Sequence, residues 1–448
     1  MAERKTSNDK RMLSLAFFQA RKQSHDTENL SSKLLLGATV IALLWANSPW
    51  AQVYETLWGT HIGIHIGSFV MEHSLADWIN DGLMFLFFMV VGLEIKRELL
   101  VGELRSVKKA MLPLVGAFGG MVFPAGIYLL INHSGASHGW GIPVATDIAF
   151  ALGALMILGN RVPVALKVFL LALAIFDDLG AILVIALFYS TELSFKALLI
   201  GAVIVAALLF INHRGLRRLP IYMVLGFCLW MAFMASGVHA TIAGVILAFT
   251  IPAKPALNVH SFIKESRKIW RSFPDEEFEI MSVNDSQRQA VKEMKNAATN
   301  IQSPLRRLED VLHPWTSLFI IPLFALANAG VNITSGGFGF NIIDHVTIGV
   351  WFGLMIGKPI GITLACIVAC KIGIASLPTG TNFKGMFCLA CLGGIGFTMS
   401  LFVTNLAFAE AALIHQAKLG ILLGSISSLI VGVAMLSSYY RKTDEVKA

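Results

Sequence analysis

The chain has 448 residues, 56% of them hydrophobic and only 14% charged, with a formal net charge of +7. That balance excludes a soluble enzyme assembled from several water-exposed domains and points to one polytopic membrane unit. The basic excess would suit a nucleic-acid partner, but the positions of the charges argue instead for a topology signal and no nucleic acid.

Residues 1–32 form a polar tail, read as cytoplasmic. The first apolar run, centred near residue 40, lacks a small-residue cleavage site and reads as a retained span rather than a signal peptide. Next, residues 59–70 (GTHIGIHIGSFV) partly alternate polar and apolar residues, the pattern of a short outer β-hairpin. An ordinary loop is the alternative. A hairpin there offers an edge to a second copy, and hence a homodimer.

Apolar runs and their breaks predict an all-α fold of about twelve spans, centred near residues 40, 88, 120, 150, 177, 203, 228, 245, 320, 357, 396 and 428. Spans 1–8 occupy residues 33–252, and spans 9–12 occupy residues 309–440. A cytoplasmic loop, 253–308, separates the two groups, and a short cytoplasmic tail, 441–448, follows. Alternating the loops between the two sides sorts Lys and Arg sharply. One side holds both termini, the Lys96–Lys109 cluster, Arg161, Lys167, Arg214, Arg217, Arg218, the 253–308 loop, Lys371 and Lys384; the other has Lys196 and Lys418. The positive-inside rule makes both termini cytoplasmic. Amphipathic surface helices or a solvated linker both fit the 253–308 loop, and no independent domain is read there. The five cysteines, Cys228, Cys366, Cys370, Cys388 and Cys391, all lie in apolar runs and read as packing residues.

Two spans carry interruptions. The fourth holds Pro143, Thr146 and Asp147 in GIPVATDIAFALG, and the eleventh holds GGIGFTMS, Gly393 to Ser400. These are expected to be discontinuous helices crossing near the midplane, because backbone groups freed in a membrane must line a cavity or be buried in protein. For the eleventh, close glycine packing against a neighbour is the alternative. The two spans run in opposite directions, as inverted repeats of spans 3–5 and 10–12 would require.

The fifth span contains Asp177 and Asp178 with no other charge from Val168 to Phe188. Each acid at a helix centre costs about 2.5–3.5 kcal/mol on insertion scales, so a plain anchor would hold neither. Adjacent helical residues point about 100° apart, so one acid can face a cavity while the other faces a neighbouring helix. Lys358 in MIGKPIG is the counter-charge, since a buried lysine needs one. Asp147 adds a third carboxylate. Desolvation favours the neutral form of a carboxylic acid, so such a group can hold a proton or a small hard cation in turn. A packing salt bridge between Asp177 and Lys358 is the plainer reading. It leaves Asp178 and Asp147 without a purpose. The residues thus point to a carboxylate-based cation/proton transporter.

The segments ATDIAFALG (145–153), ALAIFDDLGAI (172–182), SGVHATIAGV (236–245), FALANAGV (324–331), GKPIGI (357–362) and GIGFTMS (394–400) resemble the bacterial NhaA sodium/proton antiporter family, in order and from roughly the first span to the last. Inverted repeats and a midplane site are already established for that family, so the resemblance carries them more firmly than spacing does. It implies an inner-membrane, electrogenic antiporter that expels Na+ or Li+ for a larger number of protons, supporting sodium tolerance and internal pH. It needs membrane lipid and no cofactor beyond the transported ions. By the same resemblance, Asp178 is the principal cation and proton carboxylate, with Asp177 as its companion at the Na+ or Li+ site. Lys358 is counter-charge or proton carrier. Thr146 and Asp147 balance half-helix dipoles and assist cation binding. Glu94, Arg97 and Glu98, with Arg306, Arg307, Glu309 and His313, correspond to the entrance and pH-response cluster. Asp310 stands where familiar members have His, and an Asp titrates far below a His.

Other classes fit less well. An intramembrane aspartyl protease needs its acids on two helices and the motifs G-x-G-D and Y-D, which are absent. A cation channel would show rings of carboxylates or carbonyls, and Lys358 would oppose free flow. Gly353 to Lys358 is one residue short of a phosphate loop, with Pro359 in place of Ser or Thr.

Overall fold

The computed structural model describes residues 30–66, 69–133, 135–159, 162–190, 193–271, 285–331, 344–378 and 380–447. The polar tail lies outside the described residues up to position 29. All twelve expected centres fall on helices or on the break inside a bent pair. The spans are Leu30–Ala46, Leu75–Val101, Val107–Ile131, Ser137–Leu158, Val164–Phe188, Phe195–His213, Leu219–Met234, Thr241–Thr250, Pro304–Asn328, His345–Lys371, the pair Phe383–Gly393 and Phe397–Ala407, and Ala411–Arg441. Eight are long and apolar enough to cross a membrane alone. The eighth span is not: at about 1.5 Å per residue its helix covers only half of the roughly 30 Å hydrocarbon core.

Two features were not expected at the first span. Its helix turns through 113° into a short second helix, Ala51–Gly59. The hairpin that follows is displaced toward the C-terminus of the expected 59–70 window. Strand β1, His61–Ile66, pairs antiparallel with β2, Phe69–Ser74, from His61↔Ser74 to Ile66↔Phe69. It leads straight into the second span through a capping box, in which Ser74 Oγ accepts from Asp77 N and the Asp77 carboxylate accepts from Ser74 N.

Both expected interruptions are present. In the fourth span a 3-10 stretch, Ser137–Val144, gives way to extended backbone at Ala145–Asp147 before helix resumes at Ile148. The eleventh bends by 52° at residues 394–396. Spans 3–5 and 10–12 therefore repeat one order: continuous helix, broken helix, continuous helix. A π-helical turn, Gly353–Gly357, precedes Lys358, where Pro359 offers no N–H to the preceding turn.

The chain forms two compact units. The first runs to Phe87, resumes over Glu98–Thr191 and includes Pro314 onward. Its centre is the contact between spans 3 and 10, made close by glycine. A Cβ on Gly119 would collide with Gly361 O, and one on Gly361 with Gly119 O. Around this contact, Leu112, Leu155, Phe169, Leu173, Ile362 and Leu389 from five spans share one apolar cluster. The second unit comprises Phe88–Arg97 and Glu192–His313. There Gly92 lies against Val245 and Ala248, and Lys96 Nζ donates to Phe249 O (2.7 Å) and Ile251 O (2.5 Å). A cation thus caps the carbonyl end of the short eighth helix. Within the 253–308 segment, helices Val259–Arg271 and Asp285–Ile301 pack together, so part of that loop is helical and amphipathic.

Gly119→Val or Gly361→Val should force spans 3 and 10 apart, costing about 1–3 kcal/mol or more, because overpacking here meets backbone rather than a movable side chain. Gly126→Ala, with nothing within 4 Å of its Cβ position, should be tolerated. Thermal stability of the detergent-purified protein by size-exclusion chromatography distinguishes the three.

Candidate functional site

Within the first unit, the two helix breaks touch each other. Asp147 N donates to Ile395 O at 2.6 Å, and Ser400 Oγ donates to Ile142 O at 2.7 Å. Each broken span presents one half-helix N-terminus and one C-terminal end here, and the polar side chains sort between them. Asp147 takes the N-terminal ends. Its Oδ1 accepts from Phe150 N (3.1 Å), capping its own half-helix, and its Oδ2 accepts from Thr398 N (3.0 Å) and Thr398 Oγ1 (2.5 Å). One buried carboxylate therefore answers the positive ends of both half-helices.

Thr146 takes the other side. Its Oγ1 lies 2.6 Å from Asp177 Oδ2 and 3.0 Å from Gly393 O, and it accepts from Lys358 Nζ. Its single proton can serve only one of the two acceptors. Lys358 Nζ is 2.8 Å from Asp177 Oδ2, and both side chains are completely buried. Lys358, Asp177 and Thr146 thus make a closed triangle joining spans 10, 5 and 4. Gly120 lies beside it, where a Cβ would collide with Ile362 Cγ1 at 2.8 Å. The second oxygen of Asp177, Oδ1, is buried without a hydrogen-bond partner among the described residues. Asp178, also buried, follows on the same helix and is close enough to Lys358 to act on it electrostatically.

The chemistry this permits is specific. Full ionisation puts three carboxylates against one ammonium, an excess of negative charge in an apolar setting that favours a proton or a small cation. Among the described residues no three His, Cys, Asp or Glu side chains converge as a resident metal would require. A cation held here would complete its oxygen ligands with hydroxyl, carbonyl or water oxygens, as a hard ion accepts.

The residues expected at the entrance gather in the second unit. Arg97 Nε lies 3.3 Å from Glu309 Oε1, Arg306 lies 3.7 Å from Glu309 and 3.2 Å from Asp310, and His313 Nε2 lies 3.7 Å from Glu94 Oε1. Glu309 is buried, so its two arginines offset a charge that water does not reach well. Glu98 instead lies over Gly102, whose Cβ position its carboxylate occupies. Sequence reasoning missed Thr398 as the partner of Asp147 and the carbonyls of Gly393 and Ile395. The signal was there, as a hydroxyl in the otherwise apolar GIGFTMS.

A family model described as Na+/H+ antiporter 1 matches residues 22–436. Na(+)/H(+) antiporter NhaA 2 of Sorangium cellulosum is 45% identical over 428 residues, covering 95% of this chain and 91% of that protein. NhaA 1 of Saccharophagus degradans is 48% identical over 406 residues, 90% and 87% of the two chains. NhaA of Bacteroides fragilis is 45% identical, with 91% and 95% covered.

Lys358→Met should leave the Asp177 charge buried without its partner and cost about 3–5 kcal/mol. Adding Asp177→Asn should recover most of that loss. Melting temperatures of the two single variants and the double variant form the cycle that measures it.

Proposed function

The chain belongs to the Na+/H+ antiporter 1 family, secondary transporters rather than enzymes, and from that premise we propose that it exports Na+, and Li+, in exchange for protons at Asp178. The observation that carries the reading is the fully buried Asp177–Lys358 pair beside a second buried aspartate, where two broken helices touch. Asp178 holds either the cation or a proton. Asp177 sits between two partners: it pairs with Lys358 when the cation is absent and turns Oδ1 or Oδ2 to the cation when it is present. Lys358 then loses its counter-charge and gives up a proton. Two protons exchanged for one Na+ make the cycle electrogenic, so an inside-negative potential drives it. Asp147 holds the crossing together through its three donors, and Thr146 passes its hydroxyl proton between Asp177 and Gly393 O as the pair opens and closes.

Alternating access exposes the site to each face in turn. The charge distribution supports a multi-pass protein of the bacterial inner membrane with both termini in the cytoplasm. The hairpin His61–Ser74 offers free strand edges outside, and pairing with a second copy makes a homodimer. Glu94, Arg97, Glu309 and His313 form the pH-responsive entrance on the cytoplasmic side.

In everted vesicles with an acid interior, added NaCl or LiCl should collapse the proton gradient reported by a pH-sensitive dye. Asp178→Asn should abolish the response, and an unresponsive wild-type protein would defeat the proposal. Asp310→His places an imidazole, the side chain that titrates between about pH 5 and 8, where an arginine pair now stands. The variant's activity should therefore change more steeply across that range than the wild-type activity does, in the same assay run over pH.

A further inference from the structure

The segment joining spans 8 and 9 takes no part in the exchange site, yet it carries a surface of its own. Helices Val259–Arg271 and Asp285–Ile301 pack through Phe262, Ile269, Ala290, Met294 and Ala297. Backbone bonds close their base: Ala256 N and Leu257 N both donate to Asn300 O at 2.9 Å, and Leu305 N donates to Pro252 O at 3.1 Å. This packing uses one face of Val259–Arg271. At about 100° per residue, Val259, Ile263 and Trp270 fall together on a second face. They are 65%, 44% and 77% exposed. At the same spacing Arg267 and Arg271 stand about 60° and 100° round the helix from that stripe, on the side away from the packed face, with Lys264 just beyond them, while Lys268 and Glu265 lie on the far side of the helix; all five are exposed.

A surface helix whose apolar stripe is bordered on one side by Arg267, Arg271 and Lys264 is complementary to one environment in particular: the boundary between acyl chains and anionic headgroups. Its position in the chain favours the same occupant. Only residues 251–258 separate it from the end of the eighth span, so it stays tethered at the level where that span leaves the membrane. The tether keeps the local concentration of headgroups high. We propose that Val259–Arg271 is a lipid-binding helix. It lays Val259, Ile263 and Trp270 into the interface and sets Lys264, Arg267 and Arg271 on acidic phospholipid headgroups. It rests on the membrane-spanning fold and is independent of the exchange chemistry at Asp178.

The test uses the full-length protein in nanodiscs made from brominated phosphatidylcholine, alone or mixed with brominated phosphatidylglycerol. The emission of Trp270 is taken as the difference between wild type and Trp270→Phe. Quenching of that emission should be at least about twofold stronger in the mixed discs, and high salt should erase the difference. Replacing Lys264, Arg267 and Arg271 by Gln should erase it too. Equal quenching in both lipids would overturn the proposal by removing the role of charge. So would an unquenched Trp270 that iodide cannot reach, because a protein surface would then cover the stripe. The salt series needs no substitution, so the outcome does not hang on the folding of the Gln variant, and Na+-driven antiport of each variant reports its fold separately.

Discussion

A lysine and an aspartate buried together govern this molecule. Burying both charges costs several kcal/mol per ion after relaxation, and their mutual attraction returns that only with good geometry and further hydrogen bonds. Apolar residues of similar volume would be as stable or more so, which means that stability does not explain the Asp177–Lys358 pair. Its value lies in being nearly balanced. A pair close to break-even can be opened by a modest competing interaction, such as a cation that one carboxylate prefers to the ammonium. The surroundings of the pair follow from this requirement. Thr146 supplies a hydroxyl that adjusts to either partner.

The helix breaks answer a second constraint. Broken helices expose partial charges of about half a unit at their ends, and two such breaks side by side double the problem. Asp147 resolves the positive side with a single carboxylate shared by Phe150 and Thr398. Thr146, bonded to Gly393 O and in contact with Lys358, connects the negative side to the ammonium. Dipole compensation and the proposed ion exchange therefore draw on the same few side chains. The arrangement needs spans 3 and 10 in near contact, which the facing glycines Gly119 and Gly361 permit.

Much of this was legible in the sequence, for identifiable reasons. A charge in an apolar run is so costly that Asp177, Asp178, Asp147 and Lys358 stood out by expense alone, and a carboxylate is the partner that offsets a buried lysine's whole charge. Helices at all twelve expected centres followed from the apolar runs, eight to ten of them long enough to span, and the two breaks from Pro143 and the glycines of GGIGFTMS. Three things were not legible. The sharp turn from Leu30–Ala46 into Ala51–Gly59 depends on side chains reaching distant carbonyls, such as Tyr54 to Leu326 and Asn47 to Val331. The partner of Asp147 is 251 residues away, and no local pattern specifies which hydroxyl will meet it. The glycine contact between spans 3 and 10 depends on their relative rotation, which apolar composition leaves open because both helices are apolar all round. The hairpin's strands were readable from alternation.

The division of labour between two adjacent acids is the central claim, and proton release on cation binding tests it most directly. Purified protein in a weakly buffered solution with a pH indicator is given Na+, and the protons set free are counted. Asp178→Asn should release none, while the double variant Asp177→Asn, Lys358→Met should still release the proton held by Asp178. Release that survives Asp178→Asn and vanishes in the double variant would contradict that claim and move the exchange site to Asp177.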